Sequence, residues 1–243
     1  MMDVVLKFEQ SNIYPGMLEL ESLALDIHRN AGFAVPDSWQ VEFNGVPALA
    51  VKRFDRDEDG HTRFIESLYS ILASGDRSVT GNNSYTYDRI GRAIDRSPID
   101  IVSDREAGKQ HLFSRLVLAL LTGNGDLHME NLSVLRNDRI LAFTPVYDPA
   151  PMRAYSIHNM LAVMPFGNYG ETAANDTVVG LLEALLNLAN NLGIKKNERD
   201  SIMDRSLQVT ENLAERIHAL QRLPLDNKNN LVDIIDRVRR QLE

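Results

Sequence analysis

The residues best equipped for chemistry lie in the run Gly123-Asn124-Gly125-Asp126-Leu127-His128-Met129-Glu130-Asn131, with Asp148 beyond it. Asp126 can accept a proton from a hydroxyl, and Asn131 and Asp148 offer the hard oxygen atoms that Mg²⁺ prefers. Phosphoryl transfer uses that set, because it depends on positioning and charge neutralisation rather than on covalent help from the protein. An isolated Asp-x-x-x-x-Asn is common in loops, where Asn, Gly and Asp turn or cap the chain. Here the run follows an apolar stretch, Leu112 to Leu121, that reads as a buried helix. It precedes a short hairpin, Ser133 to Leu135 and Ile140 to Phe143, turned by Arg136-Asn137-Asp138-Arg139. Helix, hairpin and second Asp together predict that the three oxygen-bearing side chains converge.

The spacing from Asp126 to Asn131 equals the Asp-to-Asn spacing of the kinase catalytic loop. That chemistry needs a lysine at the nucleotide phosphates with a carboxylate partner. Lys7, near the end of a strand over Val4 to Phe8, and Glu21, on a helix from Met17 to Asn30 stopped by Gly32, are the candidates. Taken alone, Lys7 reads as a solvated strand end. Trp39 to Phe43 alternates apolar and polar, Asn44-Gly45 predicts a type I′ turn, and Pro47 to Phe54 returns as its partner strand. Beyond Asp59-Gly60 the pattern becomes helical: Phe64, Leu68, Ile71 and Leu72 predict one helix face. Further helices are predicted over Thr177 to Leu192 with Gly193 as cap, Asn197 to Leu220, and Lys228 to Leu242. The shift near residue 58 marks the expected lobe boundary.

The 243 residues carry 26 Lys+Arg against 34 Asp+Glu, a net charge of −8, which gives no global reason to bind nucleic acid or an anionic membrane. With no cysteine there is neither a disulfide, nor a thiolate metal site, nor a cysteine nucleophile. The first residues lack the apolar core of a signal peptide, and no stretch reaches the roughly 18 charge-free apolar residues of a membrane span. A cytoplasmic protein is the expectation.

Three stretches together resemble HipA-type serine/threonine kinases, the toxins of bacterial toxin–antitoxin modules. They are Val51-Lys52-Arg53-Phe54-Asp55-Arg56 preceded by Pro47-Ala48-Leu49-Ala50, the run Gly123 to Asn131, and Thr144-Pro145-Val146-Tyr147-Asp148. The order and spacing hold from Lys7 to about Pro151. The resemblance implies an α+β, protein-kinase-like two-lobe fold. It places a truncated, small β-rich amino lobe over residues 1–58 and a large, mostly helical carboxyl lobe with the catalytic loop over 59–243. It implies ATP and Mg²⁺ as cofactors, Asp126 as catalytic aspartate, Asn131 and Asp148 as metal ligands, and Lys7 facing the phosphates beside Glu21. Lys52, Arg53 and Phe54 become the hinge that meets the adenine through its backbone, and His128 a loop histidine that hydrogen-bonds near Asp126. Family members phosphorylate proteins of the translation apparatus and are restrained by a helix-turn-helix antitoxin. The expected partners are therefore a protein substrate, that antitoxin, and DNA only through it, with no membrane partner.

The chain departs from the family in two places. Lys52 stands where the family's hinge usually carries Glu. The glycine-rich loop that precedes the family's lysine strand has no counterpart, because only six residues precede Lys7 and Gly16, Gly32, Gly45 and Gly60 are dispersed. Weak or absent turnover by the isolated chain follows as an expectation, together with either association through the edge of the Val4 to Phe8 strand or a separate chain that supplies the missing amino lobe. Gly125-Asp126-Leu127-His128 with Asn131 also resembles the motif of aminoglycoside and choline phosphotransferases, which makes a small-molecule kinase the second reading. A non-catalytic, pseudokinase-like binding module is the third. Asp55, Asp57, Asp59, Gly60 and Glu66 fit the spacing of an EF-hand calcium loop, but the preceding segment reads as a strand where an EF-hand needs a helix.

Overall fold

The computed structural model describes residues 3–9, 13–57, 59–173 and 177–243. Strand β1 (Val4–Phe8) and helix α1 (Met17–Asn30) open the chain, followed by the hairpin β2 (Ser38–Phe43) and β3 (Val46–Lys52). Asn44 and Gly45, with φ of 51° and 78°, make the predicted type I′ turn. β1 pairs antiparallel with β3, so the sheet order is β1-β3-β2. A second antiparallel sheet, in the order β4-β5-β6, joins β4 (Ile65–Ser67) to the predicted hairpin, and helices α2 (Leu68–Gly75), α3 (Tyr87–Arg96) and α4 (Arg105–Thr122) lie between β4 and β5. That hairpin is β5 (Ser133–Asn137) and β6 (Ile140–Phe143). Helices α5 (Leu181–Asn191), α6 (Lys196–Val209), α7 (Leu213–His218) and α8 (Leu225–Leu242) complete the chain. Glu58, at the expected lobe boundary, lies outside the described residues.

Helix α4 is the spine, as its sequence predicts. Asp104 caps it by accepting the Ala107 N–H (3.0 Å), and Leu112, Phe113, Leu116, Val117 and Leu120 disappear into the main core. Helix α1 works on two faces. Leu18 and Leu25 pack on Leu49 and Val51 of the first sheet, while Leu20, Leu23 and Ile27 pack among Leu213, Ile217, Leu231 and Ile235 of α7 and α8. The sheet that carries Lys7 is thereby fixed to the helical part of the molecule.

Three local expectations are corrected. Phe64 is not on a helix: it leads into β4, which pairs with β5, and Ser67 then caps α2 by accepting the Ser70 N–H (3.1 Å). The helix expected from Asn197 to Leu220 breaks after Val209, where the Thr210 hydroxyl turns back to the Ser206 carbonyl (2.7 Å), a local bond that competes with helix continuation. α5 begins at Leu181 rather than Thr177, because Val178 bridges to Thr172 and Gly180 takes the cap position; Ala174 to Asp176 lie outside the described residues.

His28 on α1 and His111 on α4 sit beside the buried guanidinium of Arg115. Burial, and then the Arg115 charge, push both imidazoles down from 6.5 to about 3, and the His28 Nδ1–H donates to the Ala24 carbonyl (2.8 Å). Unfolded, both rings protonate near 6.5; folded, they stay neutral until about 3. Their contribution to stability is therefore complete above 6.5 and falls with pH through that window, by about 1.4 kcal/mol per pH unit for each ring. Thermal denaturation between neutral pH and the onset of carboxylate protonation checks this, with His28→Asn expected to reduce the slope and a flat profile contradicting it.

Candidate active site

A cavity of about 480 Å³ opens between the two sheets, within the roughly 300–1,000 Å³ range of small-molecule sites. Val5, Lys7 and Val51 line it from the first sheet, Glu21 and Leu25 from α1, and Ile65, Ser133, Tyr147 and Asp148 from the other side. Lys7 Nζ donates to Glu21 Oε1 (2.6 Å) and Asp148 Oδ1 (2.8 Å), so residues 14 and 141 positions away meet at one ammonium. Burial works against the Lys7 charge, but the Glu21 and Asp148 carboxylates outweigh it and hold the pKa above its ordinary value. Burial also pushes the Glu21 carboxyl up, opposed by Lys7 and reinforced by the negative charge of Asp148. Asp148 reaches its place with φ of 53°, a left-handed conformation that Asp tolerates better than most residues, and keeps half of its side chain exposed.

The second group of side chains lies on the loop after α4. Gly123 (φ 74°) ends the helix, and Asn124 Oδ1 accepts the Asp126 N–H (2.9 Å). The Asp126 carbonyl accepts from the His128 N–H (2.9 Å) and from Asn131 Nδ2 (3.0 Å), while the Asp126 carboxylate stays about half exposed. Its backbone is pinned and its carboxylate is free. Because Asn131 spends its Nδ2 inward, its Oδ1 remains available as a hard ligand. His128 Nε2 stands 4.0 Å from Asp126 Oδ1, and its Nδ1 is buried without a hydrogen-bond partner. Gly125 is required sterically: a Cβ there would meet the Met160 carbonyl oxygen at 2.3 Å.

Asp126, His128 and Asn131 do not line the cavity that holds Lys7, Glu21 and Asp148. Tyr147 connects the two groups. Its hydroxyl donates to the Glu130 carbonyl and accepts from the Ser133 hydroxyl (2.7 Å), which ties the residue before Asp148 to both flanks of Asn131. This use of Tyr147 was not evident from sequence: the tyrosine belongs to a family-like string, but nothing in its spacing from Ser133 announces the contact. The Lys52 N–H is committed to the Asp37 carbonyl (2.8 Å) and the Arg53 N–H to the Asp3 carbonyl (3.0 Å). The Arg53 side chain pairs with Asp55, and the Phe54 ring lies 5.8 Å from that of Tyr147.

The EF-hand reading fails on geometry. Asp55 is bound by Arg53 and Arg56, Arg56 bridges to Thr62 in a strand-like loop, and among the described residues the loop is flanked by strands β3 and β4 where an EF-hand needs helices. Asp57, Asp59 and His61 lie close together on the exposed loop.

A family profile described as the HipA-like C-terminal domain matches residues 2–216. The chain belongs to that family. Among curated relatives, a Haemophilus influenzae protein named "Putative kinase" is 26% identical over 211 residues, covering 76% of this chain and 58% of that protein. "Putative kinase Y4dM" of Sinorhizobium fredii is 30% identical over 180 residues, covering 68% of this chain and 38% of that protein. The chain thus spans about half the length of the relatives it matches. Among solved structures, a complex of Shewanella oneidensis HipA, HipB and operator DNA contains a chain with TM-score 0.72 and 22% identity, over 99% of this chain and 57% of that one. The Helicobacter pylori proinflammatory kinase CtkA gives TM-score 0.60 and 17% identity, over 98% and 86%. Both likenesses show the α+β, kinase-like fold expected of the HipA-like family. No helix among the described residues is long and apolar enough to cross a membrane.

Tyr147→Phe deletes both hydroxyl bonds and leaves the Glu130 carbonyl without that donor. A loss of about 1–3 kcal/mol in stability is expected, read by denaturant titration; an unchanged midpoint would show that Tyr147 does not hold the two groups together.

Proposed function

We propose that this chain is the catalytic part of a HipA-like serine/threonine protein kinase, the toxin of a toxin–antitoxin module, which transfers the ATP γ-phosphate to a protein hydroxyl. The observation that carries the reading is Lys7, seated in the cavity between Glu21 (2.6 Å) and Asp148 (2.8 Å). A phosphate-binding lysine needs such a carboxylate to hold it, and a metal-binding aspartate is needed within its reach. In this reading Lys7 faces the phosphates, and Phe54 with the hinge carbonyls borders the adenine. In this reading Asn131 Oδ1 and the half-exposed Asp148 carboxylate are the hard oxygen donors that would hold Mg²⁺. When bound, the ion neutralises phosphate charge. The substrate oxygen bonds to the γ-phosphorus as the bond to the β,γ-bridging oxygen breaks, ADP leaves with that electron pair, and the hydroxyl proton passes to Asp126. His128 borders that carboxylate at 4.0 Å.

The partners follow by analogy with the Shewanella complex: a HipB-like helix-turn-helix antitoxin, with DNA contacted through it. The substrate is proposed to be a protein of the translation apparatus. A second reading, a non-catalytic nucleotide-binding module, rests on one observation: among the described residues no glycine lines the cavity. Gly16 caps α1, Gly45 turns the β2-β3 hairpin, and Gly60 sits in an exposed loop. Preorganised donors of the kind a glycine-rich loop supplies are worth about 2.7–4 kcal/mol each in the transition state, so turnover by this chain is expected to be low.

Incubation with labelled ATP, Mg²⁺ and a bacterial extract, followed by phosphoserine and phosphothreonine analysis, tests the proposal. Labelled protein is expected, with Asp126→Asn reducing the rate roughly 10²–10⁴-fold while nucleotide binding persists. Nucleotide binding without transfer supports the second reading. Transfer undiminished in Asp126→Asn, or directed to an aminoglycoside, contradicts the first.

A further inference from the structure

Among the described residues, three arginines hold buried guanidinium nitrogens without a hydrogen-bond partner: Arg115, Arg153 and Arg222. Arg222 faces the Glu9 carboxylate at 3.8 Å, and Arg115, 2% exposed, lies beyond the reach of any solute. Arg153 is different. Its Nε and Nη1 are buried and unbonded, no carboxylate among the described residues pairs with it, and yet the residue is only part-buried. A half-buried charge without a counterion is costly, so a position that keeps one is suited to an anion that arrives from outside.

Arg153 is fixed against the start of the Gly123–Asn131 loop. Its N–H donates to the Gly123 carbonyl (3.1 Å), and its carbonyl accepts from Asn230 Nδ2 of α8 (2.9 Å). The side-chain stem lies on Gly125, where a Cβ would stand 3.1 Å from Arg153 Cγ and 3.4 Å from Cδ. The head meets a second cation. Burial and then the charge of Arg237 on α8 push the Arg153 pKa down, opposed by the Tyr169 phenol. Arg237 is exposed, donates from Nε to the Asp233 carbonyl (3.2 Å), and likewise has no carboxylate partner among the described residues. A chain with 34 Asp+Glu and a net charge of −8 thus leaves two neighbouring guanidinium groups without a counterion.

We propose that Arg153 and Arg237 form an anion site for a phosphate group, between the Gly123–Asn131 loop and α8. A guanidinium offers its N–H donors as a planar fork to two oxygens of one phosphate, and a second cation suits a dianion better than a single carboxylate. Neither arginine lines the cavity that holds Lys7, so this group is distinct from the phosphates of a nucleotide bound there. The stem of Arg153 rests on the residue before Asp126, so an occupant bears on the loop that carries that carboxylate. Two sources supply the same oxygens: inorganic phosphate, and the phosphorylated side chain of a polypeptide. The site does not rest on the kinase reading, because binding is read without transfer.

Thermal denaturation of the full chain, titrated with inorganic phosphate and separately with N-acetyl-O-phosphoserine amide at an ionic strength held constant with chloride, tests the proposal. A saturable rise in the midpoint is expected, as for any ligand that binds the folded state alone. Arg153→Met is expected to weaken the apparent affinity at least about tenfold, the loss of one charged hydrogen-bonded contact. Without ligand, that variant should match or exceed the parent midpoint, because it removes an uncompensated charge and keeps an apolar stem on Gly125; an arginine with a purely structural role would lower it. Arg237→Met, at an exposed position, is expected to weaken binding without disturbing the fold, and carries the test if Arg153→Met does not fold. A response to the phosphoserine probe assigns the site to a phosphorylated polypeptide, and a response to inorganic phosphate alone assigns it to the free ion. No saturable rise with either probe overturns the proposal, as does a rise that both variants retain.

Discussion

The ion pair between Lys7 and Glu21, extended to Asp148, is the constraint on which the site depends. Glu21 is almost wholly buried on α1, and a carboxylate there is tolerable only because a cation meets it. Lys7 supplies that cation from β1 and, being only part-buried, has a second face left for Asp148. One ammonium therefore fixes a strand, a helix and a distant loop relative to one another. Removing it would leave Glu21 buried and alone, a defect that costs about 3–5 kcal/mol in fully buried pairs and less here because Lys7 retains solvent contact.

The remaining structure keeps those three segments where the pair can form. Helix α1 presents one apolar face to the first sheet and another to α7 and α8, so the position of Glu21 is set by both halves of the molecule. Buried α4 delivers the Gly123–Asn131 loop, Gly125 lets the Met160 carbonyl close on it, and Tyr147 ties Glu130 and Ser133 to the residue before Asp148. The Asp126 carboxylate is left exposed by this packing, as a proton acceptor for an incoming hydroxyl needs to be.

Much of this was legible in the sequence, for identifiable reasons. The β2-β3 hairpin follows from Asn44-Gly45, a local signal that needs no tertiary context, and α4 follows from an apolar run too continuous for a surface helix. Lys7 and Glu21 could be matched because a nucleotide lysine needs a carboxylate on the adjoining helix, and the family-like strings located the loop. The misses have different causes, and at β4 long-range pairing overrode local pattern. Ile65 to Ser67 became strand because β5 was there to pair with it. Helix α3 went unread because its charged residues, Asp88, Arg89, Arg92, Asp95 and Arg96, hide the stripe of Tyr87, Ile90 and Ile94. No spacing rule could announce Tyr147, whose two partners come from the turn and strand on the far side of a hairpin.

The central claim is that Lys7 and Glu21 stabilise each other rather than merely lie close. A double-mutant cycle of Lys7→Met, Glu21→Gln and the combined variant, with stability read by chemical denaturation at neutral pH, measures this directly. The account predicts a coupling of about 1–3 kcal/mol, with Lys7→Met the more damaging single change because it strands the buried carboxylate. Additive effects within about 0.5 kcal/mol would contradict it.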